Sequence, residues 1–304
     1  MGHRGMGRQA ALFAGVVAML LALAPASARA SSDHEEKHEE PSDLGLGDFF
    51  TKGWNEPWVE RHRATRDMAL FKVETAFVET EARFDFVRTL LRNDPDFNGL
   101  TVIKPSLAYA LNRRMQLEIS GFYAWATMPG QTGPNGASMS ASVRFALVDT
   151  PAMAYAFQVE VEAPNRALGA SQTAFAYSIA GWQDVSRWIP ALGPVGLYYS
   201  LKWENLTGPH EPGSSTNELA WDVSLARTWT GSSTPVVGTF TTFLEAYMAM
   251  PLGGQEGGKV TFTLTPGVRF WVWGDHSLMA GVDLPVSHDP PFSATWRATY
   301  FLGF

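Results

Sequence analysis

Phe292-Ser293-Ala294-Thr295-Trp296-Arg297-Ala298-Thr299-Tyr300-Phe301-Leu302-Gly303-Phe304 closes the chain and decides its fold class. Every second residue, from Phe292 through Trp296 and Tyr300 to Phe304, is apolar or aromatic. Those between are small or polar, with Phe301 the one large apolar exception. Alternation with period two gives a β-strand one oily face and one wet face. Such a strand needs a pairing partner on each edge and an apolar medium along one side.

Working back from this stretch, alternating runs recur at about 69–87, 100–111, 115–127, 138–148, 153–163, 171–181, 194–204, 217–229, 237–250, 258–271 and 276–285. With 292–304 they make twelve. Most are longer than the ~5–6 residues of a sandwich strand and close to the ~9–11 of a tilted membrane-crossing one. The connections alternate too. Asn112-Arg113-Arg114, 149–152, 231–235 and Gly274-Asp275 are short, whereas 93–98, 129–137, 164–170, 205–216, 251–257 and 285–291 are mostly longer and polar or rich in Gly and Pro. Short periplasmic turns and longer external loops mark bacterial barrels. The exception is 182–193, a long connection where a short turn is due. The expected fold is therefore all-β: a single transmembrane antiparallel up-and-down β-barrel of about twelve strands over 69–304, preceded by an N-terminal periplasmic segment. The aromatic end formed by Trp296, Tyr300 and Phe304 resembles the C-terminal assembly signal of bacterial outer-membrane proteins, which implies an outer-membrane assembly machinery as partner. Outward candidates such as Leu117, Ile119, Phe157, Leu201 and Leu278 would meet outer-membrane lipid.

The start of the chain agrees with export. Arg4 and Arg8 precede the apolar run Ala10–Ala24, and Ala28-Arg29-Ala30 is a small-x-small cleavage pattern, so 1–30 reads as a signal peptide cut after Ala30. The run is shorter than the ~20 residues of a membrane-crossing helix. Residues 31–68 form an acidic segment with nothing to bury at its start, read as flexible. It continues into Gly53-Trp54-Asn55-Glu56-Pro57-Trp58, where Trp54 and Trp58 require burial or an interface, as a docked periplasmic segment or as a plug. Cysteine is absent, so a closed hydrogen-bond network must replace disulfides. The signal segment holds three of the 23 basic residues and none of the 30 acidic ones, leaving a mature chain of 20 and 30, net −10. That balance opposes nucleic-acid binding.

The wet faces carry Lys72, Glu74, Lys104, Glu118, Arg144, Glu160, Glu162, Lys202, Glu204, Asp222, Glu245, Arg269, Asp283 and Arg297. Both signs occur, so these side chains would line a lumen either as a salt-bridge network or as a transverse field around a small-molecule solute. In the first run Phe71, Val73 and Phe77 are odd but Phe84 and Phe86 even. A β-bulge near Val78–Thr80, turning Glu79, Glu81, Arg83 and Asp85 inward, would restore the alternation; otherwise the strand rises above the membrane there. Catalytic signals are thin. Ser287-His288-Asp289 has the residue types of a hydrolase, but consecutive residues do not converge as a triad. There is no phosphate loop and no metal-ligand spacing, so neither cofactor, metal nor enzymatic activity is expected.

Pro105-Ser106-Leu107-Ala108-Tyr109, Arg114-Met115-Gln116-Leu117-Glu118, Val143-Arg144-Phe145-Ala146-Leu147-Val148-Asp149 and Glu162-Ala163-Pro164 follow a strand, turn, strand, long loop, strand order. This pattern resembles the outer-membrane transporter family named for the MetA pathway of phenol degradation. With the C-terminal strand, the resemblance covers about two thirds of the chain. It implies an outer-membrane channel for small organic solutes, hydrophobic or aromatic ones among them, and brings no catalytic residues. The alternatives are a non-conducting structural or binding barrel and, last, an outer-membrane lipid hydrolase. The Gly53–Trp58 segment is outside that pattern and would let the N-terminal part occlude the lumen.

Overall fold

The structure is a computed structural model that describes residues 41–60, 69–91, 98–128, 131–164, 172–208, 215–230, 239–255, 257–287 and 292–304. The expected signal peptide and the charged run that follows it lie outside the described residues. Twelve antiparallel strands close into one barrel. They are β1 (Glu81–Leu91), β2 (Gly99–Ala110), β3 (Met115–Met128), β4 (Gln131–Asp149), β5 (Met153–Glu162), β6 (Thr173–Asp184), β7 (Val195–Thr207), β8 (Asn217–Trp229), β9 (Phe240–Pro251), β10 (Thr261–Trp273), β11 (His276–Pro285) and β12 (Phe292–Gly303). Each strand pairs with its neighbours in sequence, and β12 closes on β1 with Glu81 opposite Gly303 and Leu90 opposite Ala294. Closure leaves no unpaired edge, which is how a sheet survives in an apolar medium.

Period two now becomes two surfaces. On the outside, Ile119, Leu201, Leu225, Leu244, Leu278 and Trp296 are exposed, several by half of their surface or more. A water-soluble protein rarely exposes so continuous an apolar band; lipid around it removes the cost. Tyr177 stacks on Trp203, and Trp229 on Phe240, at ring separations of 5.5 and 6.1 Å. On the inside, Ser120, Ser142, Ser178, Ser200, Thr263, Thr265, Thr295 and Thr299 are buried among charged residues. Phe301, the exception in the closing stretch, points inward and is 1 % exposed.

The barrel has two unlike ends. One, here the turn end, holds the start of β1, the end of β12 and the tight connections at 111–114, 150–152 and 274–275. The other is the loop end. Two connections depart from the expected lengths. The β3–β4 connection continues as a hairpin, with Met128 paired to Gln131, instead of a loop over 129–137. At the turn end, β6 runs on through Trp182 to Asp184, and short 3-10 turns at Val185–Arg187 and Pro190–Leu192 complete the long connection. Asp184 caps the first of them by accepting from the Ser186 amide at 3.0 Å.

The first alternating run is the main correction. The strand begins only at Glu81. Neither a bulge nor a rise above the membrane accounts for the switch of parity; residues 69–80 leave the sheet and lie inside the barrel. Phe71, Val73 and Phe77 face an interior cluster, while Phe84 and Phe86 face outward. Ala69, Leu70, Val73, Ala76 and Phe77 form one apolar core with Ala154, Ala180, Trp182, Tyr198, Ala226, Phe243, Met279 and Phe301, all in the turn-end part of their strands. The small inward residues Ala154, Ala180 and Ala226 leave the space that this segment occupies.

Candidate functional site

The internal segment is held by polar bonds as well as by packing. Glu245 on β9 is fully buried, and its Oε1 accepts from the backbone N–H groups of Phe71, Lys72 and Val73 at 3.1, 3.2 and 3.4 Å. The Glu74 amide donates to Ser200 Oγ at 3.3 Å and the Glu79 amide to Gln116 Oε1 at 2.8 Å. Arg144 Nη1 donates to the Phe77 carbonyl at 3.3 Å, and Arg83 Nη1 to the Leu70 carbonyl at 3.3 Å. A non-regular stretch buried in protein needs such partners, because its own backbone supplies none. Phe77 packs at 5.6 Å from Trp182, and Phe71 at 5.7 Å from Phe243. Gly267 and Gly281 form the wall behind these rings. A Cβ at Gly267 would stand 2.2 Å from Phe243, and one at Gly281 2.6 Å from Phe71.

Along this segment, and reaching the loop end, lies a cavity of about 620 Å³. Its floor is Ala69–Thr75 and its walls are contributed by β1–β5, β7–β12. Of the fourteen wet-face candidates, Lys72, Glu74, Lys104, Glu118, Arg144, Glu160, Glu162, Lys202, Glu204, Asp222, Asp283 and Arg297 line it. Lys72 and Glu74 do so from the internal segment, not from a strand. The other two lie elsewhere. Glu245 holds the segment from behind, and Arg269 sits against Ser277 Oγ at 2.8 Å and over the Phe301 ring at 4.0 Å.

The cavity's charges are partly paired. Asp283 receives Arg297 at 2.9 Å and Lys72 at 3.2 Å. Arg83 holds Asp85 at 2.9 Å, and Asp85 also accepts from Thr299 Oγ1 at 2.5 Å. Arg144 donates to Gln158 Oε1 at 3.0 and 2.6 Å and stands 3.9 Å from Glu118. Lys202 lies 3.8 Å from both Glu74 and Glu160 and 3.9 Å from Glu204. The lumen is therefore both a network and a lined space. Gln116, Gln158, Glu218 and Tyr247 belong to this set and were not expected from the pattern of charge. Glu218 has the parity of Asp222 on β8, which is the signal that would have found it.

Trp54 and Trp58 are not part of the stretch inside the barrel. They belong to a segment docked at the turn end. Trp54 Nε1 donates to the Phe49 carbonyl and its ring lies 6.3 Å from Phe145; Trp58 Nε1 donates to the Val78 carbonyl at 2.6 Å. The dock is the β2–β3 turn. Arg114, fully buried, donates to the carbonyls of Lys52 at 2.9 Å, Ala146 at 2.9 Å, Leu147 at 3.0 Å and Gly45 at 3.3 Å. Arg113 grips the Ser42 carbonyl and Glu56 Oε2, the latter at 2.5 Å. Leu44 and Asp149 exchange backbone bonds at 3.0 and 2.8 Å. Gly53 takes φ +85 beside the Arg114 side chain, where a Cβ would stand 2.9 Å from its Cγ. The Arg113 hydrogen bond, helped by the Gly53 amide, holds the Glu56 carboxyl below the usual range. Lys52 does the same for Asp48. Among the described residues no cluster of His, Cys, Asp and Glu has the arrangement of a metal site. His288 and Asp289 lie outside the described residues.

No family model matches the chain, and no curated protein matches it by sequence. Solved structures do. The COG4313 outer membrane channel from Pseudomonas putida F1 superposes with a TM-score of 0.50 at 14% identity, over 76% of this chain and 97% of that one. The beta domain of the Bordetella autotransporter BrkA gives 0.48 at 13% identity, over 74% and 99%. A KdgM porin solved with disordered oligogalacturonate gives 0.44 at 12%, over 73% and 99%. At 14% identity the likeness to the Pseudomonas putida channel is one of fold alone, that of a closed antiparallel barrel.

Proposed function

We propose that the protein is an outer-membrane channel for small solutes, closed in this structure by its own residues 69–80. The observation that carries the reading is the arrangement of the lumen. A charged cavity reaches the loop end at Glu162, Glu218 and Phe292 and is lined below by a segment that belongs to no strand. Both chain ends and the tight turns would face the periplasm, and the cavity the exterior. The apolar outer band would sit in lipid, with Trp296, Tyr300 and Phe304 read by the assembly machinery. The lumen-lining side chains named above would form the path once the segment moves. The resemblance to the phenol-degradation transporter family agrees with this reading; aromatic solutes would have to cross a strongly charged lining, so charged or amphipathic organic molecules suit the cavity better.

The segment separates cleanly from the barrel wall, since all twelve strands begin at or after Glu81. Deleting residues 31–80 behind an intact signal peptide therefore tests the reading. In planar bilayers the deleted protein should conduct steadily and the full chain rarely. Absence of conductance in both, from protein that still migrates as a heat-modifiable barrel, overturns the channel reading. It would favour a closed binding barrel, which the filled turn end also supports.

A further inference from the structure

The upper half of the cavity is short of cations. Ten carboxylates and six basic side chains line the whole space. The basic groups near its floor already have partners: Arg297 and Lys72 on Asp283, Arg83 on Asp85, Arg144 on Gln158. Toward the loop end two cations remain: Lys104, beside Glu160 and Glu162, and Lys202, which stands among three carboxylates at distances too long for a hydrogen bond to any of them.

Two further features point to a missing positive charge. Glu204 and Glu218 are direct cross-strand partners of β7 and β8, so their carboxylates share one face and both line the cavity. Like charges placed opposite each other destabilise a sheet unless something lies between them. Four residues further along β8, Asp222 is only 3 % exposed and also lines the cavity. Its Oδ2 accepts from Ser200 Oγ at 3.0 Å, but its Oδ1 has no hydrogen-bond partner. A buried carboxylate oxygen without a donor is costly, and a cation at that point removes the cost.

Spacing narrows the ligand. Asp222 and Glu218 are about 13 Å apart along the strand. Between them Ala220 pairs with Lys202, whose ammonium repels positive charge at mid-span. We infer that the cavity binds linear organic diamines, one ammonium on Asp222 and the other between Glu218 and Glu204, with a methylene chain passing Lys202. The inference deepens the channel reading by naming a class of solute for the same cavity, and it can be decided without conductance.

The test is titration calorimetry of the full-length, detergent-solubilised protein at mildly alkaline pH. The probes are 1,8-diaminooctane, the uncharged 1,8-octanediol and the dianion suberate. The diamine should bind, and the other two at least about tenfold more weakly. Asp222→Asn and the less buried Glu218→Gln should each weaken diamine binding about tenfold, the effect of losing one charge-assisted hydrogen bond. Glu218→Gln serves if Asp222→Asn does not fold as a heat-modifiable barrel. Octanediol or suberate binding as tightly as the diamine, or unchanged affinity in a folded variant, overturns the inference. Conductance lost from the deleted barrel with diamine binding intact would refute the channel reading alone.

Discussion

Glu245→Ala should loosen the internal segment without touching the barrel wall's own ladder. One oxygen of this carboxylate serves three consecutive amides, those of Phe71, Lys72 and Val73. An amide left buried without an acceptor costs about 1–3 kcal/mol. Three amides sharing one oxygen each hold a weakened bond, which places each at the lower end of that range. Against this, Oε2 of Glu245 has no partner, so removing the carboxylate also relieves part of a buried charge's desolvation. The net destabilisation of the docked segment is about 2 kcal/mol, which raises the undocked population about thirtyfold. Glu245→Gln keeps a neutral acceptor and should give about fivefold, since charge-assisted bonds are roughly twice as strong as neutral ones. Open probability in planar bilayers reads this directly. Protease cleavage within residues 69–80 reads it independently, because a segment inside the barrel is cut only after it leaves. Open probability and cleavage unchanged in Glu245→Ala, or a larger effect from Glu245→Gln than from Glu245→Ala, would refute the reasoning.

Three other outcomes follow from the same contacts. Trp182→Ala removes a fully buried ring from the core against Phe77 and should destabilise the protein by about 3–5 kcal/mol, seen as a lower temperature of the heat-modifiable gel transition. Gly281→Val should force Phe71 from its seat at a cost of about 1–3 kcal/mol and increase cleavage of the internal segment, with the barrel itself still formed. Docking of residues 41–60 should be pH-dependent. Glu56 has a depressed native carboxyl, so its contribution is complete above the unfolded value near 4.3 and is lost as pH falls through the lower native value. Tryptophan fluorescence of Trp54 and Trp58 should report release under acid, and Glu56→Gln should abolish that step.

The wall of the barrel was legible because period two is a local property. Residues such as Leu278 and Leu284 declare their face by parity alone, and a closed sheet imposes no other demand on them. The inward set followed by the same parity, and the cavity lining gathers most of it. Glu245 and Arg269 have that parity too, yet they face the internal segment and the apolar core instead of the cavity, since parity fixes a side and says nothing of height. Trp54 and Trp58 announced an interface, but the location of their segment at the Arg113-Arg114 turn depended on the Arg114 guanidinium meeting both the Lys52 carbonyl and the Ala146 carbonyl of β4.

The sequence by itself determined the number, direction and faces of the strands, because each is written in neighbouring residues. It also contained the mismatch between Phe77 and Phe84, the trace of a chain that stops being a strand. What that stretch became was decided only by tertiary structure. Residues 69–80 alternate well enough to pass for β, but β1 already has β2 and β12 on its two edges, and the ladder has room for no more of it. Inside, the space left by alanines, the two wall glycines and the Glu245 carboxylate give the segment a burial and a set of hydrogen-bond partners that twelve strands had first to assemble.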